Sequence, residues 1–334
     1  MSYTIYGYTL SYFTRKIEAA FTWYGLDAKL APKTLLGTPR IEKKGGTHQV
    51  PVVCGPDGDW HRDTTLIIEV LDGRHPNRRL IPNGEPGALV RLVEEWLDEW
   101  LPRTVIHYRW NIPENAAFAG ARLGAELMPW LPGLVQRRLG KKVAHWGRRA
   151  VRSLALDDPR QREAVEAELA RTLAAAETQL QETPYLLGDR PTAADAALLG
   201  GLRAHIGCDP STARILAAYP TLLAWMDAPP PWNGEGQTCG LEAPTAFARF
   251  VLEEARGAYQ TFIVANASAL EAGKKAFMVT LHGAEVSVLA RRDPERSRAH
   301  LKAALSRELD GDAMGAFNQF IDEYGLMPAF GTAP

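Results

Sequence analysis

The sequence predicts an α/β domain followed by an all-α domain, and after them a C-terminal extension of helices with a β-hairpin. Three observations predict this. Over roughly the first 80 residues, strand-like and helix-like segments follow one another in the order β-α-β-β-β-α, which builds a small α/β unit. From 88 to 228 the apolar residues recur at helical spacing. From 276 to 289 they alternate instead, on either side of His282-Gly283, the pattern of a hairpin in which Gly283 supplies positive φ. The expected domains are therefore 1–82, 88–228 and an extension over 229–334.

Taken in order, "YTIYGY" (3–8) is rich in β-branched and aromatic residues and reads as a strand. "FTRKIEAAFTWYG" sets Phe13, Ile17, Phe21 and Tyr24 at helical spacing and stops at Gly25. "LDAKLAP" follows, then a polar loop "GTPRIEKKGGTH", the strand "QVPVVCG" and the turn "PDGD". In "WHRDTTLIIEVLDG", Asp63 or Thr64 caps a helix carrying Leu66, Ile67, Val70 and Leu71. "LIPNGEPGA", with two prolines and two glycines, is the linker, and Pro102 and Pro113 break or kink the helices beyond it. "APPPWNGEGQTCGLEAP" opens the extension. There "TAFARFVLEEARGAYQTFIVANASALEAG" is helical, Phe277, Val279, Leu281, Val286 and Val288 mark the hairpin, and a helix pair over 294–325 covers it.

Composition excludes several classes. A chain of 334 residues exceeds one typical domain. Its 46% apolar and 23% charged content is that of a soluble globular protein, and a net charge of −1 gives no general pull toward nucleic acid or membranes. "MSYTIYGYTL" lacks the basic and apolar regions of a signal peptide, and no later run approaches the ~18 apolar residues of a membrane span, so a cytoplasmic chain is expected. Cys54, Cys208 and Cys239 are odd in number and widely spaced, which leaves no disulfide framework and no CxxC pair. His107, His145 and His205 lack metal-ligand spacing, and no metal is expected. The "NAS" sequon at Asn266 has no use without a secretory route.

One run departs from this balance. "QRRLGKKVAHWGRRAVR" (136–152) holds seven Lys or Arg and no acid, with Leu139, Val143 and Trp146 interleaved, as in a basic amphipathic helix. Such a helix can meet anionic lipid, nucleic acid or an anionic substrate. The expectation is a solvated face matched to the acidic "EEWLDEW" (94–100), with no nucleic-acid partner and no stable membrane association.

"QVPVV" (49–53) sets a proline inside an otherwise buried strand, where it offers the sheet no N–H. Twelve residues after Pro51 a helix opens on Asp63-Thr64, and much later "GDRPTAADAALLGGL" places Thr192 and Asp195 as a capping box on a buried helix end. Together these resemble the glutathione transferase superfamily over residues 3 to about 228. The resemblance implies a thioredoxin-like glutathione-binding domain, an all-helical domain on the electrophile side, glutathione as cosubstrate and a homodimer. The extension resembles that of some large bacterial members.

A glutathione thiol, with a free pKa of about 8.5, must be held as thiolate to attack an electrophile at neutral pH. In "LSYFTRK", Ser11, Phe13 and Lys16 match the serine-type pattern of the superfamily, with Tyr12 standing where proline is frequent. The resemblance makes Ser11 the thiolate donor, flanked by Tyr12 and Phe13. Capping the first helix is its competing role. Tyr8 is the alternative donor, with Tyr6, Thr9 and Thr14 behind it. The resemblance further implies a cis Val50–Pro51 bond that presents Val50 to the cysteinyl unit, contacts from Gln49, and Asp63 with Thr64 for the γ-glutamyl end. Tyr108, Trp110 and Asn111 offer an electrophile-side wall. The implied function is a detoxifying transferase acting on a small hydrophobic electrophile. A glutathione-dependent lyase cleaving aryl ethers and a non-catalytic glutathione or ligand binder are the alternatives.

Overall fold

The computed structural model describes residues 2–332. In chain order the elements are β1 (Tyr3–Gly7), α1 (Tyr12–Tyr24), β2 (Ala28–Pro32), α2 (Thr38–Gly45), β3 (Val52–Cys54), β4 (Trp60–Arg62), α3 (Thr64–Arg74), α4 (Gly84–Glu99), α5 (Leu101–Asn111) and α6 (Pro113–Leu127). Then come α7 (Gly133–Ser153), α8 (Pro159–Glu182), α9 (Ala193–Gly201), α10 (Pro210–Leu216), α11 (Pro220–Asp227), α12 (Ala246–Glu254), α13 (Gln260–Glu271), β5 (Ala276–Leu281), β6 (Ala284–Leu289), α14 (Arg292–Glu308), α15 (Gly311–Glu323) and α16 (Met327–Phe330). They group into two compact units. The first holds the residues through Ile81 with Val105–Arg149 and Pro191–Glu235; the second holds Pro82–Thr104, Ala150–Arg190 and the residues from Gly236 on. Residues 333 and 334 of the expected extension lie outside the described residues.

In the first unit a four-stranded sheet runs in the order β2-β1-β3-β4. β1 and β2 are parallel, β3 pairs antiparallel with β1 (Ile5 opposite Val53), and β4 pairs antiparallel with β3. Ile5, Val52 and Val53 are buried from the sheet, and Ile17, Ala20 and Phe21 from α1, which ends at Gly25 with φ 70°. The expected polar loop at 37–48 contains α2. That helix buries only Ile41 and Gly45 and starts with Pro39 in its first turn, so it carries almost no apolar periodicity to read. On α3, Ile67 and Leu71 face the core as the spacing predicts, while Leu66 and Val70 are exposed.

The capping box forms at the start of α9. The Asp195 carboxylate accepts from the Thr192 N–H at 2.8 Å and from its hydroxyl at 2.7 Å, with both residues fully buried. One residue later the Ala193 N–H donates to the Leu80 carbonyl at 2.9 Å. The Leu80 N–H in turn donates to Asp72, which also accepts from Ile81 and from the Tyr24 hydroxyl. Burial raises the Asp72 carboxyl to about 6 against those three donors. α6 and α7 lie in close contact through glycines: a Cβ on Gly140 would come within 2.3 Å of the Gly120 carbonyl oxygen.

In the second unit three acids of α4 are inside. Glu94, Glu95 and Asp98 are each at most 6% exposed. Glu95 accepts from the Tyr259 hydroxyl and from the Ser297 hydroxyl of α14, each at 2.6 Å, and Arg91 pairs with Glu308 at the end of α14. The expected hairpin is present as β5 and β6, with Phe277, Val279, Leu281, Val286 and Val288 buried on one face. Its turn has φ 51° at His282 and 72° at Gly283. The Gln161 amide donates to the Leu281 carbonyl, and His282 meets Arg103, whose guanidinium stacks on Trp100. Asn266 is fully buried and bonds the Arg291 backbone in both directions.

Two outcomes are expected. Replacing Asp195 by Ala leaves a buried N–H and hydroxyl without their acceptor and lowers the denaturation midpoint by an amount worth about 2 kcal/mol. Burial, outweighing its two hydroxyl donors, pushes Glu95 up to about 7, so between the usual carboxylate range and that pH the folded state binds a proton that the unfolded state has lost. Stability of the second unit therefore falls as pH rises through that window. Glu95→Gln, which cannot ionise, flattens the dependence in urea titrations between about pH 5 and about pH 8.

Candidate functional site

The expected ligand-side residues lie in the first unit around the N-termini of α1 and α3. The chain leaves β1 at Gly7, turns through Tyr8–Leu10 and enters α1 at Ser11, whose extended backbone (φ −97°, ψ 122°) makes it the N-cap. Its Oγ accepts from the Thr14 N–H at 3.3 Å. Among the described residues the Ser11 O–H itself has no acceptor. Capping uses a lone pair and leaves the proton, so the two roles foreseen for Ser11 coexist. No acid stands in the first turn of α1, and the positive end of the helix faces the same region as the hydroxyl.

Of the other hydroxyls near this turn, those of Tyr8 and Thr9 are given to acceptors, while Tyr6 and Thr14 are held by packing and burial. The Tyr8 phenol donates to the Lys33 carbonyl at 2.7 Å, and burial, with the charges of Glu126 and Glu42, raises it to about 12. The Tyr6 ring stacks on Trp60 with centroids 5.4 Å apart. Thr14 is fully buried and accepts from the Tyr8 N–H. The Thr9 hydroxyl donates to one oxygen of Glu126, and the Thr9 N–H to the other at 2.9 Å.

Two groups that the sequence did not single out hold this turn. Glu126, at the end of α6, takes Thr9 as just described. Arg109, at the end of α5, donates to the Leu10 carbonyl at 2.6 Å. Its guanidinium is 2% exposed, paired with Asp209 at 2.9 and 3.0 Å, and also donates to the Ala204 carbonyl. Burial and this guanidinium keep His205, 3.2 Å from Arg109, well below the usual imidazole value. An arginine inside the aromatic run "HYRWN" was the available signal for Arg109; Glu126 offered none.

The segment before β3 is anchored at both sides. Lys33 Nζ, nearly buried, bonds Glu42 at 2.9 Å and the His48 carbonyl at 2.5 Å, and Arg62 bonds the Gly46 carbonyl. The Val50–Pro51 bond is cis. Pro51 is buried, Val50 half-buried and Gln49 exposed. No hydrogen bond among the described residues uses the Val50 N–H or carbonyl. Asp63 caps α3, accepting from the Leu66 N–H, and holds φ 69°, a left-handed conformation uncommon outside glycine. Its side chain is exposed, and Thr64 beside it is buried.

The residues expected on the electrophile side divide. Tyr108 is buried, with its carbonyl bonded by Asn115. Trp110 lies on α7, so close to Gly147 that a Cβ there would come within 2.3 Å of the indole. Asn111 Nδ2 is 2.9 Å from His107 Nδ1. Lys16, like Thr14, is fully buried in α1, and Tyr12 is buried beside Gly201. Among the described residues no group of His, Cys, Asp and Glu is arranged to hold a metal ion.

The stretch of chain that carries this strand, turn and helix matches a known family. Residues 5–79 match the glutathione S-transferase N-terminal domain, and residues 159–228 match the glutathione S-transferase C-terminal domain. The chain belongs to the glutathione transferase superfamily. Solved structures of glutathione transferases resemble it as well. One from Rhodospirillum rubrum is 20% identical, with 67% of this chain and 86% of that one covered and a TM-score of 0.43. The β-etherase LigF from Sphingobium sp. strain SYK-6 is 18% identical over 68% and 94% of the two chains, with a TM-score of 0.45. A homologue from Drosophila mojavensis with bound glutathione is 20% identical over 68% and 86%, with a TM-score of 0.38. The family matches leave 80–158 and 229–334 outside, so α6, α7 and the hairpin extension lie beyond both matched domains.

Glu126→Gln keeps an acceptor for the Thr9 N–H and removes one of the two charges that hold the Tyr8 proton. The Tyr8 phenol then titrates below the wild-type value of about 12, as followed by NMR of ring-labelled tyrosine. An unchanged Tyr8 would mean that the Glu126 charge does not reach this turn.

Proposed function

We propose that this chain binds glutathione and activates its thiol through Ser11 for attack on a small hydrophobic electrophile. The observation that carries the reading is the Ser11 O–H, without an acceptor at the N-terminus of α1, beside a Tyr8 whose own O–H is already given to Lys33. A tyrosine donor would have to break that bond. Its raised pKa also makes it a weaker acid than an ordinary tyrosine phenol.

The residues fit the tripeptide. The Val50 N–H and carbonyl, unused in the sheet, suit antiparallel pairing with the cysteinyl unit. The γ-glutamyl carboxylate suits the Thr64 hydroxyl and the first N–H groups of α3, while the exposed Asp63 carboxylate suits the γ-glutamyl ammonium. Gln49, exposed on the approach to Val50, and Phe13, half-buried after Tyr12, are open to further contacts with the tripeptide. The chemistry is a displacement or addition. The thiol proton leaves to solvent, Ser11 donates to the sulfur anion, a sulfur–carbon bond forms, and in a displacement the leaving group departs with its electron pair. Holding the thiol about two units below its free pKa takes about 2.7 kcal/mol, within reach of one hydroxyl donor and a helix terminus.

We assign glutathione binding to 1–82 and the electrophile side to 88–228, with Asn111 a better wall residue than the buried Tyr108 or the α7-packed Trp110. A cytoplasmic homodimer is proposed with it. The exposed Leu66 and Val70 of α3, which line a hollow with Trp60 and His61, offer that assembly an apolar patch.

Calorimetry with glutathione and a thiol-conjugation assay test the reading. Glutathione binds wild type and Ser11→Ala alike, and Ser11→Ala lowers kcat/KM at neutral pH by roughly 10- to 100-fold while moving the thiol pKa up. Tyr8→Phe stays near wild type. Absence of glutathione binding sinks the proposal, and binding without turnover points to a carrier. Full activity in Ser11→Ala with loss in Tyr8→Phe would transfer the role to the tyrosine.

A further inference from the structure

The basic run of the sequence folds as α7, and the acids of α4 that could have matched it are committed within their own unit. Glu94, Glu95 and Asp98 are buried in the second unit, where Glu95 is held by Tyr259 and Ser297. Between 137 and 149, α7 carries Arg137, Arg138, Lys141, Lys142, Arg148 and Arg149, all exposed, and the helix contains no acid. None of these six is in an ion pair among the described residues. At 100° per residue they fall within an arc of roughly 140°.

That arc cannot turn inward. Away from the arc, Gly140 lies on Gly120 and Gly124 of α6 and Gly147 lies on the Trp110 indole, at approaches that leave no room for a Cβ. Large apolar residues border or precede the cations in the open: Trp146 is 72% exposed, Leu134 68%, Val135 41%, and Trp130 in the turn before the helix 48%.

From these observations we infer that α7 is a membrane-surface contact, seating the protein reversibly on bilayers rich in anionic lipid. The charges suit anionic headgroups, and exposed tryptophan, leucine and valine suit the boundary between headgroups and acyl chains. A nucleic acid would use the cations but not the aliphatic residues, and a second copy of the helix would be repelled by like charge. With six positive charges on one face and a net charge of −1, the rest of the molecule is net negative, so an anionic surface attracts this face selectively. No helix among the described residues is long and apolar enough to span a membrane, so the contact is peripheral.

The test is co-sedimentation of the full chain with vesicles of phosphatidylcholine alone and of phosphatidylcholine with about 30 mol % phosphatidylglycerol. Binding is expected only to the anionic vesicles, falling at least about tenfold when salt rises from about 0.05 M to about 0.5 M. Combined Arg137→Glu, Arg138→Glu, Lys141→Glu and Lys142→Glu abolishes it. Trp146→Ser, at a site open to solvent, weakens it several-fold without changing the salt dependence. Equal binding to neutral vesicles, no binding to anionic ones, or full binding by the charge-reversed variant overturns the inference. So does tighter binding to a DNA duplex, measured by anisotropy, that is indifferent to Trp146→Ser.

Discussion

Helix α9 can rest on α1 only because residues 200 and 201 carry no side chain. A Cβ on Gly200 would lie 2.7 Å from the Lys16 nitrogen and the Tyr12 carbonyl oxygen, and one on Gly201 2.5 Å from the Tyr12 ring. Backbone atoms at such distances do not give way. From that contact a closed circuit runs through the first unit. α9 begins in the Thr192–Asp195 box, Ala193 holds Leu80, Leu80 and Ile81 hold Asp72, and Asp72 holds the Tyr24 hydroxyl at the far end of α1. The direction of α1, and with it the place of Ser11, depends on the whole circuit.

The turn that delivers Ser11 is held by opposite charges. Arg109 takes the Leu10 carbonyl, but Asp209 neutralises much of its field. Glu126 takes Thr9 and keeps a negative charge near the turn, strong enough to contribute to the raised pKa of Tyr8. Neither group helps an anion at the Ser11 hydroxyl, so on the proposed reading thiolate stabilisation falls to short-range donors: that hydroxyl and the amides opening α1. This arrangement acts on a charge forming at hydrogen-bond distance and weakly on charges elsewhere.

The second unit uses its acids as structure. Buried on α4, they collect hydroxyls from Tyr259 and Ser297 and so tie part of the extension to the helix, at the cost of a proton held toward neutral pH. The cations of α7, in the other unit, are exposed and in no ion pair among the described residues.

Much of this was legible in residues alone. The strand-helix opening, the Gly25 stop, a cap at Asp63 or Thr64, the capping box and the hairpin about His282-Gly283 are local: each depends on backbone conformations and donors within a few residues, which side-chain type and spacing determine directly. The helix α2 was not legible, because it buries almost nothing and so leaves no periodic trace. Nor were Arg109, Glu126 and Lys33 as holders of the site, since their partners stand up to 117 residues away and no spacing rule reaches them. The same distance separates what the sequence suggested about charge from what the fold does with it. An acidic run and a basic run look complementary on paper, but the acids Glu94, Glu95 and Asp98 are buried while the cations of the second run are exposed. The sequence by itself determined which residues can cap, turn and donate. Tertiary structure decided which of those donors was left with a proton to give, because that depends on whether an acceptor from elsewhere in the chain, as Lys33 is for Tyr8, arrives first.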